Sequence, residues 1–290
     1  MWEALASLPR VLGMRVVVVA DTHLSDRTPE ASEHWGAIVA DLEAHPPALV
    51  VHAGDISADG SSVPTDLGSA HDQLARVTAP LAVVPGNHDV GDNPGIYGPQ
   101  RPAVDADRLN AFRSLFGPGH FSVPVGSWRV VGIDSQLFGV GGVEEAGQWA
   151  WLEAELAGAG AAPVMLVSHK PLLPAPGDED RAARYVPPAA RHRLLALLDT
   201  ATVPLVVSGH VHQSLRHEAG GRLHLWAPTT WAVQPDARQR PVGEKLPGLL
   251  ELELADDGRY TAEVRHPSGL RRRVIGVDAA NPYDHSAPPG

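Results

Sequence analysis

Five short strings rich in metal-binding residue types lie in order along this chain, and four of them directly follow a run of β-branched or aliphatic residues. The strings are Asp21-Thr22-His23, Gly54-Asp55, Gly86-Asn87-His88-Asp89, Ser168-His169 and Gly209-His210-Val211-His212. Apolar runs such as 16–20, 48–53 and 205–208 suit strands covered on both faces. Between the first two runs, Trp35, Ile38, Val39 and Leu42 fall at i, i+3, i+4 and i+7, a helical stripe stopped by Pro46-Pro47. A second helix is expected over 66–77 and a third strand over 81–84. This β-α-β-α-β rhythm implies a parallel sheet, whose carboxyl ends are where open α/β sheets assemble their sites.

Further along, helices are expected over 108–116, 148–156 and 191–198, strands over 164–168 and 205–208, and a hairpin over 121–125 and 128–133. Residues 90–101, rich in Gly, Pro and Asn, read as an irregular loop beside the site. After Gly220 come short strands over 223–226, 249–254, 260–264 and 271–277, an antiparallel return. A second sheet stacked on the first accounts for that return, giving an α/β fold of four layers, α/β/β/α. One domain over 14–278 is expected, with an N-terminal extension over 1–13 and a flexible tail over 279–290.

Composition narrows the chemistry. The chain has 290 residues, 43% hydrophobic, with a formal net charge of −11, so duplex nucleic acid is an unsuitable partner. It has no cysteine, which excludes disulfides, thiolate ligands and cysteine nucleophiles. No apolar run reaches membrane-spanning length, and the first residues lack the pattern of a secretory signal. A cytoplasmic protein with no membrane partner is expected. Carboxylate, imidazole and amide oxygen donors converging from strand ends can hold two divalent cations side by side.

In order and spacing, these strings resemble the calcineurin-like metallophosphoesterase superfamily, whose pattern runs D-x-H, G-D, G-N-H-[DE], H and G-H-x-H. The match runs from Asp21 to His212, and Gly86-Asn87-His88-Asp89 is its most specific part. The resemblance implies the same four-layer fold and two metal ions, of Mn, Fe or Zn type. It assigns Asp21, His23, Asp55 and His212 to one metal, and Asp55, Asn87, His169 and His210 to the other, with Asp55 as the bridge. A hydroxide bridging the cations is the implied nucleophile. His88 is left facing substrate, to steady charge or protonate the leaving oxygen.

An orienting carboxylate for His88 is sought in Asp89 or Asp59, because Ala58 stands where an acidic residue is common. Asp89 is therefore grouped with His88 as catalytic. Asn87, His88, Gln136 and Lys170 are the candidate substrate contacts. Arg181, Arg184 and Tyr185 read as a solvated loop, and His52 as a packed strand residue.

Ala58 also argues against purple acid phosphatases, which carry a tyrosine there, and Gly54-Asp55-Ile56-Ser57-Ala58-Asp59-Gly60 departs from the Ser/Thr phosphatase string. The five-part pattern also resembles class III cyclic-nucleotide phosphodiesterases. Looser similarity around 121–122, 134–136 and 169–172 points to calcineurin-like phosphatases of protein or small-molecule substrates. The leading expectation is a hydrolase of a small phosphomonoester, with a phosphoprotein as a further candidate substrate. An inward Lys170 would favour the extra charge of such an ester. A phosphodiesterase acting on a cyclic nucleotide or other small diester stands second, and a non-catalytic scaffold third.

Overall fold

In the computed structural model, which describes residues 13–95, 102–176, 178 and 182–282, two sheets stack face to face between helices. The first five strands of the chain are β1 (Met14–Val19), β2 (Leu49–His52), β3 (Leu81–Val83), β4 (Phe121–Val125) and β5 (Trp128–Ile133). They are followed by β6 (Val164–Ser168), β7 (Leu205–Ser208), β8 (Leu215–Ala219), β9 (Arg222–Trp226), β10 (Leu249–Leu254) and β11 (Tyr260–Arg265). The helices are α1 (Pro29–Ala44), α2 (Pro64–Leu74), α3 (Asn87–Val90), α4 (Ala106–Phe116), α5 (Gly142–Ala159) and α6 (Pro188–Leu198).

The first sheet has the order β11-β10-β1-β2-β3 and the second β4-β5-β6-β7-β9-β8. Within them, β1, β2 and β3 run parallel, as do β5, β6, β7 and β9. Strand alternation separates the layers. Val16, Val18 and Val51 meet Val130, Met165, Val167 and Val207 between the sheets. Val17, Val19 and Val50 turn outward to Trp35, Ile38 and Leu42 of α1, while Leu166 and Val206 pack on α5 and α6. The four-layer α/β/β/α architecture expected from the sequence is present.

Four local expectations differ. The C-terminal strands do not form a second sheet by themselves. β8 and β9 complete the second sheet, whereas β10 and β11 return to cover the free edge of β1. β8 had no apolar alternation to announce it; Gly220 and Gly221, with φ of 57° and 71°, make the tight turn that folds it onto β9. Residues 271–277 form no ladder, only the single bridges Val233↔Val274 and Ile275↔Ala279, because the chain leaves the sheet at Pro267 and crosses onto α1, where Arg271 N–H donates to His34.

That crossing carries the chain past the expected tail boundary. Ala279 is buried, Ala280 N–H donates to Glu30 and Pro282 O accepts from Arg27. Helix α5 starts at Gly142, earlier than its apolar stripe, because Glu145 in its first turn accepts from Gly139 and Gly141 N–H and ties down the glycine-rich approach. The N-terminal extension, apart from residue 13, lies outside the described residues. Among the described residues no helix is long and apolar enough to cross a membrane.

Candidate metal centre and phosphoester site

The site lies at the carboxyl ends of β1, β2, β6 and β7 and the turn after β3, where the five strings converge. Asp21 N–H donates to Gly54 O, His23 N–H to Asp55 O and Gly209 N–H to His169 O, so the loops brace each other before any ligand is considered. Asp21, His23, Asp55, His210 and His212 have φ between 48° and 71°. They are the non-glycine residues with positive φ among the described residues. That conformation costs on the order of 1–3 kcal/mol per residue and persists where surrounding structure over-determines it. Here each strained residue supplies a donor atom to one cluster.

Gly86 permits the closest approach. A Cβ there would fall 2.1 Å from Asp55 Oδ1 and 2.3 Å from Asp55 N. Without it, His88 N–H reaches Asp55 Oδ1 at 2.8 Å, which seats α3 and its Asn87 beside the shared carboxylate.

Two sets of donor atoms are close enough to share an ion, Asp21, His23, Asp55 and His212 on one side and Asp55, His169 and His210 on the other. Nε2 of His23 is 3.1 Å from Nε2 of His212, and Nδ1 of His210 is 3.0 Å from Nε2 of His169. Asn87 Oδ1 and Asp55 Oδ2 each lie 3.3 Å from His169 Nε2. Two donors about 2.1 Å from one ion stand roughly 3 Å apart at a right angle, the spacing seen here.

Tautomers agree. His212 Nδ1 faces Ala232 O at 2.6 Å and His169 Nδ1 faces Ala53 O at 2.9 Å, so each ring turns Nε2 toward the cluster, where a metal would take the place of a proton. The residues fit divalent metal ions, and Asp55 belongs to both donor sets.

Electrostatics favours positive charge at this point. Burial works to raise the Asp55 carboxyl, but His169, His88 and His23 outweigh it and hold it well below the usual carboxylate range. Burial opposes charge on His169, yet the Asp55 carboxylate carries it up to about 9. Burial, joined by His88, keeps His23 well below its ordinary value.

His88 lines the cavity beside Asp55, with Nε2 4.0 Å from Asp55 Oδ2. Its Nδ1 lies 2.5 Å from the main-chain carbonyl of Ala58. The orienting group is therefore a backbone oxygen, which no side-chain search of the sequence could find. Asp89 is corrected from a catalytic to a bracing residue. Fully buried, it accepts from Ile56 and Gly86 N–H on one oxygen and from Ser57 N–H and Oγ on the other. Asp59 accepts from Ser61 Oγ.

The expected contacts Gln136 and Lys170 are corrected too. Both are 0% exposed. Gln136 N–H caps on Asp134, and Lys170 Nζ is held by Asp92 Oδ1 at 2.5 Å and Asn93 Oδ1 at 2.7 Å. A lysine pointing into the fold finds carboxylate and amide oxygens there that strand-end position alone could not reveal.

The cavity over the donors measures about 390 Å³ and adds Arg184, Gln234, Arg238, Gln239 and Asn281 to its walls. Arg184 was expected to be solvated and instead faces this cavity, while Tyr185 is 1% exposed. Arg181 lies outside the described residues. His52 is the packed strand residue expected, its ring between Gly54 N–H and Thr22 Oγ1.

An α/β/β/α sandwich with two donor sets sharing one carboxylate at its strand ends defines a metal-dependent phosphoester hydrolase. Residues 14–214 match the family model for calcineurin-like phosphoesterases. The chain belongs to that family. It is 30% identical over 284 residues to the 3',5'-cyclic adenosine monophosphate phosphodiesterase CpdA of Escherichia coli, covering 93% of this chain and 96% of that one. It is 25% identical over 265 residues to a 3',5'-cyclic-nucleotide phosphodiesterase of Nostoc, covering 87% and 92%. In fold it resembles a dimetal phosphatase from Danio rerio, with a TM-score of 0.60, 17% identity and coverage of 88% and 96%.

Proposed function

We propose that the chain is a phosphodiesterase acting on a cyclic nucleotide. The observation that carries this reading is the burial of Lys170. The monoester preference rested on that ammonium meeting a dianion, and Asp92 and Asn93 take it instead. Lys170 therefore gives no ground for that preference. A relative aligned over nearly the whole chain is a 3',5'-cyclic AMP phosphodiesterase, and a cavity walled by two arginines and, besides Asn87, three side-chain amides offers hydrogen-bond partners for a nucleoside beyond the phosphate.

Asp21, His23, Asp55 and His212 would hold one metal, and Asp55, Asn87, His169 and His210 the other. When bound, two such cations polarise phosphoryl oxygens and acidify water. The chain's own chemistry centres on His88. Its Nδ1–H donates to Ala58 O, which leaves Nε2 to face the reaction, able to steady charge or hand a proton to the departing oxygen when the ring carries a second proton there and reverting to the neutral imidazole once it is given up. The four backbone and hydroxyl donors on Asp89 keep α3, and hence His88, in place. We also assign the protein to the cytoplasm.

The test is kcat/KM of the metal-loaded protein for 3',5'-cyclic AMP and a bis-aryl phosphate against the matching aryl phosphate. The reading expects diesters to be favoured by about 10-fold or more, a discrimination of about 1.4 kcal/mol. A preference for the monoester would overturn it.

A further inference from the structure

Arg184 reaches the cavity from the turn Ala182–Arg184, and two independent contacts fix its place. On the main-chain side, Ala183 O accepts from Lys170 Nζ at 3.2 Å. That ammonium is fully buried and also binds Asp92, just beyond α3, and Asn93. Asn93 in turn donates to the carbonyls of Ser135, Gln136 and Phe138. One cation thus joins the segment after Asn87-His88, the residue after His169, the turn after β5 and the segment bearing Arg184.

At the other end, Arg184 Nη1 meets Asp178 Oδ2 at 2.5 Å. Tyr185 donates its O–H to the same oxygen, and the Tyr185 ring lies 6.2 Å from that of Trp226 in a buried cluster.

A buried ion pair such as Lys170–Asp92 adds little stability over apolar packing of the same volume. Its effect here is geometric. A guanidinium has five donors in a rigid fork, and Asp178 engages only one edge. A fork already held in place binds phosphoryl oxygens without the cost of ordering a free side chain. Arg184 and His210 both line the cavity.

We infer that Arg184 binds a phosphoryl oxygen of the substrate and that Lys170 and Asp178 are positioning residues that act through it. The inference rests on the cavity being the phosphoester site of the proposed function.

Inorganic phosphate titrated calorimetrically into metal-loaded protein is the probe. Arg184→Met is expected to weaken phosphate about 10- to 100-fold, as for a lost charge-assisted hydrogen bond. It should raise KM for the ester more than it lowers kcat, with metal content unchanged. Lys170→Met should act in the same direction, and the double variant should be no worse than Arg184→Met alone.

Unchanged phosphate affinity in Arg184→Met would overturn the inference. Additive losses in the double variant would overturn the positioning role of Lys170, as would a loss confined to folded fraction. Should Lys170→Met not fold, Tyr185→Phe removes the hydroxyl that donates to Asp178 and accepts from Ala175 N–H. It should weaken phosphate about 2- to 5-fold and have no effect in an Arg184→Met background, and an effect persisting there would count against positioning. A protein that ignored diesters yet showed the phosphate response would sink the diesterase reading and leave Arg184 in its role.

Discussion

His23 and His212 stand 189 residues apart in the chain and bring their Nε2 atoms within 3.1 Å. Both have positive φ, and the second keeps its proton on the far side of the ring, toward Ala232 O. A cation between the two Nε2 atoms would take a lone pair from each ring. The fold holds the strained backbone through strand pairing and loop hydrogen bonds, so a donor set is shaped before metal arrives.

Asp55 serves both donor sets. Asp55→Ala should therefore reduce metal content from two ions per chain to one or none and lower turnover by on the order of 10³-fold or more. Elemental analysis of purified variant and wild type checks this, and retention of both metals by the variant would remove Asp55 as the bridge.

His88 is outside both donor sets yet lines the cavity. His88→Ala should keep near-normal metal while losing on the order of 10²-fold in kcat, with greater losses for poor leaving groups. Equal losses across leaving groups would leave charge stabilisation as its role and discard proton donation.

Gly86→Ala would drive a methyl group into Asp55, 2.1 Å from Oδ1. Either the carboxylate or the Asn87-His88 turn must shift, and a displacement near 1 Å costs on the order of 10²-fold in turnover. Crystallography and kcat on the same variant test this. Normal turnover would show that the close approach is dispensable.

The candidate metal donors were legible in the sequence because four of their five strings directly follow an apolar run, and a strand fixes where the turn after it begins. The layers were legible for the same reason, since Val16 to Ala20 can only be covered on both faces. Side-chain direction was not. Lys170 and Gln136 have strand-end positions like the ligands, but Asp92 and Asn93 draw Lys170 inward and Gln136 is fully buried. Arg184, Arg238, Gln239 and Asn281 converge on the cavity from loops far apart in the chain, and nothing local marks such a meeting. The Ala58 carbonyl that orients His88 carries no side-chain signature at all.

Away from the site, His224 on β9 lies against His217 of β8, ring centroids 5.2 Å apart, and burial, with His217 adding to it, lowers His224 from 6.5 to about 4. Between those values the unfolded chain binds a proton that the folded chain refuses. Stability should be complete above pH 6.5 and fall as pH drops toward 4, by on the order of 2–3 kcal/mol for this residue. Denaturant unfolding at pH 7 and pH 4.5 should show a smaller acid loss in His224→Leu than in wild type. Equal losses would place the acid sensitivity elsewhere.

The central claim is that two metal ions held across Asp55 make this chain a cyclic-nucleotide phosphodiesterase. Protein stripped of metal and titrated with Mn²⁺ while 3',5'-cyclic AMP hydrolysis is followed tests it most directly. Activity should be absent without metal and should reach its plateau only when two equivalents are bound. Full activity at one equivalent or fewer, or none toward the cyclic nucleotide at saturating metal, would contradict it.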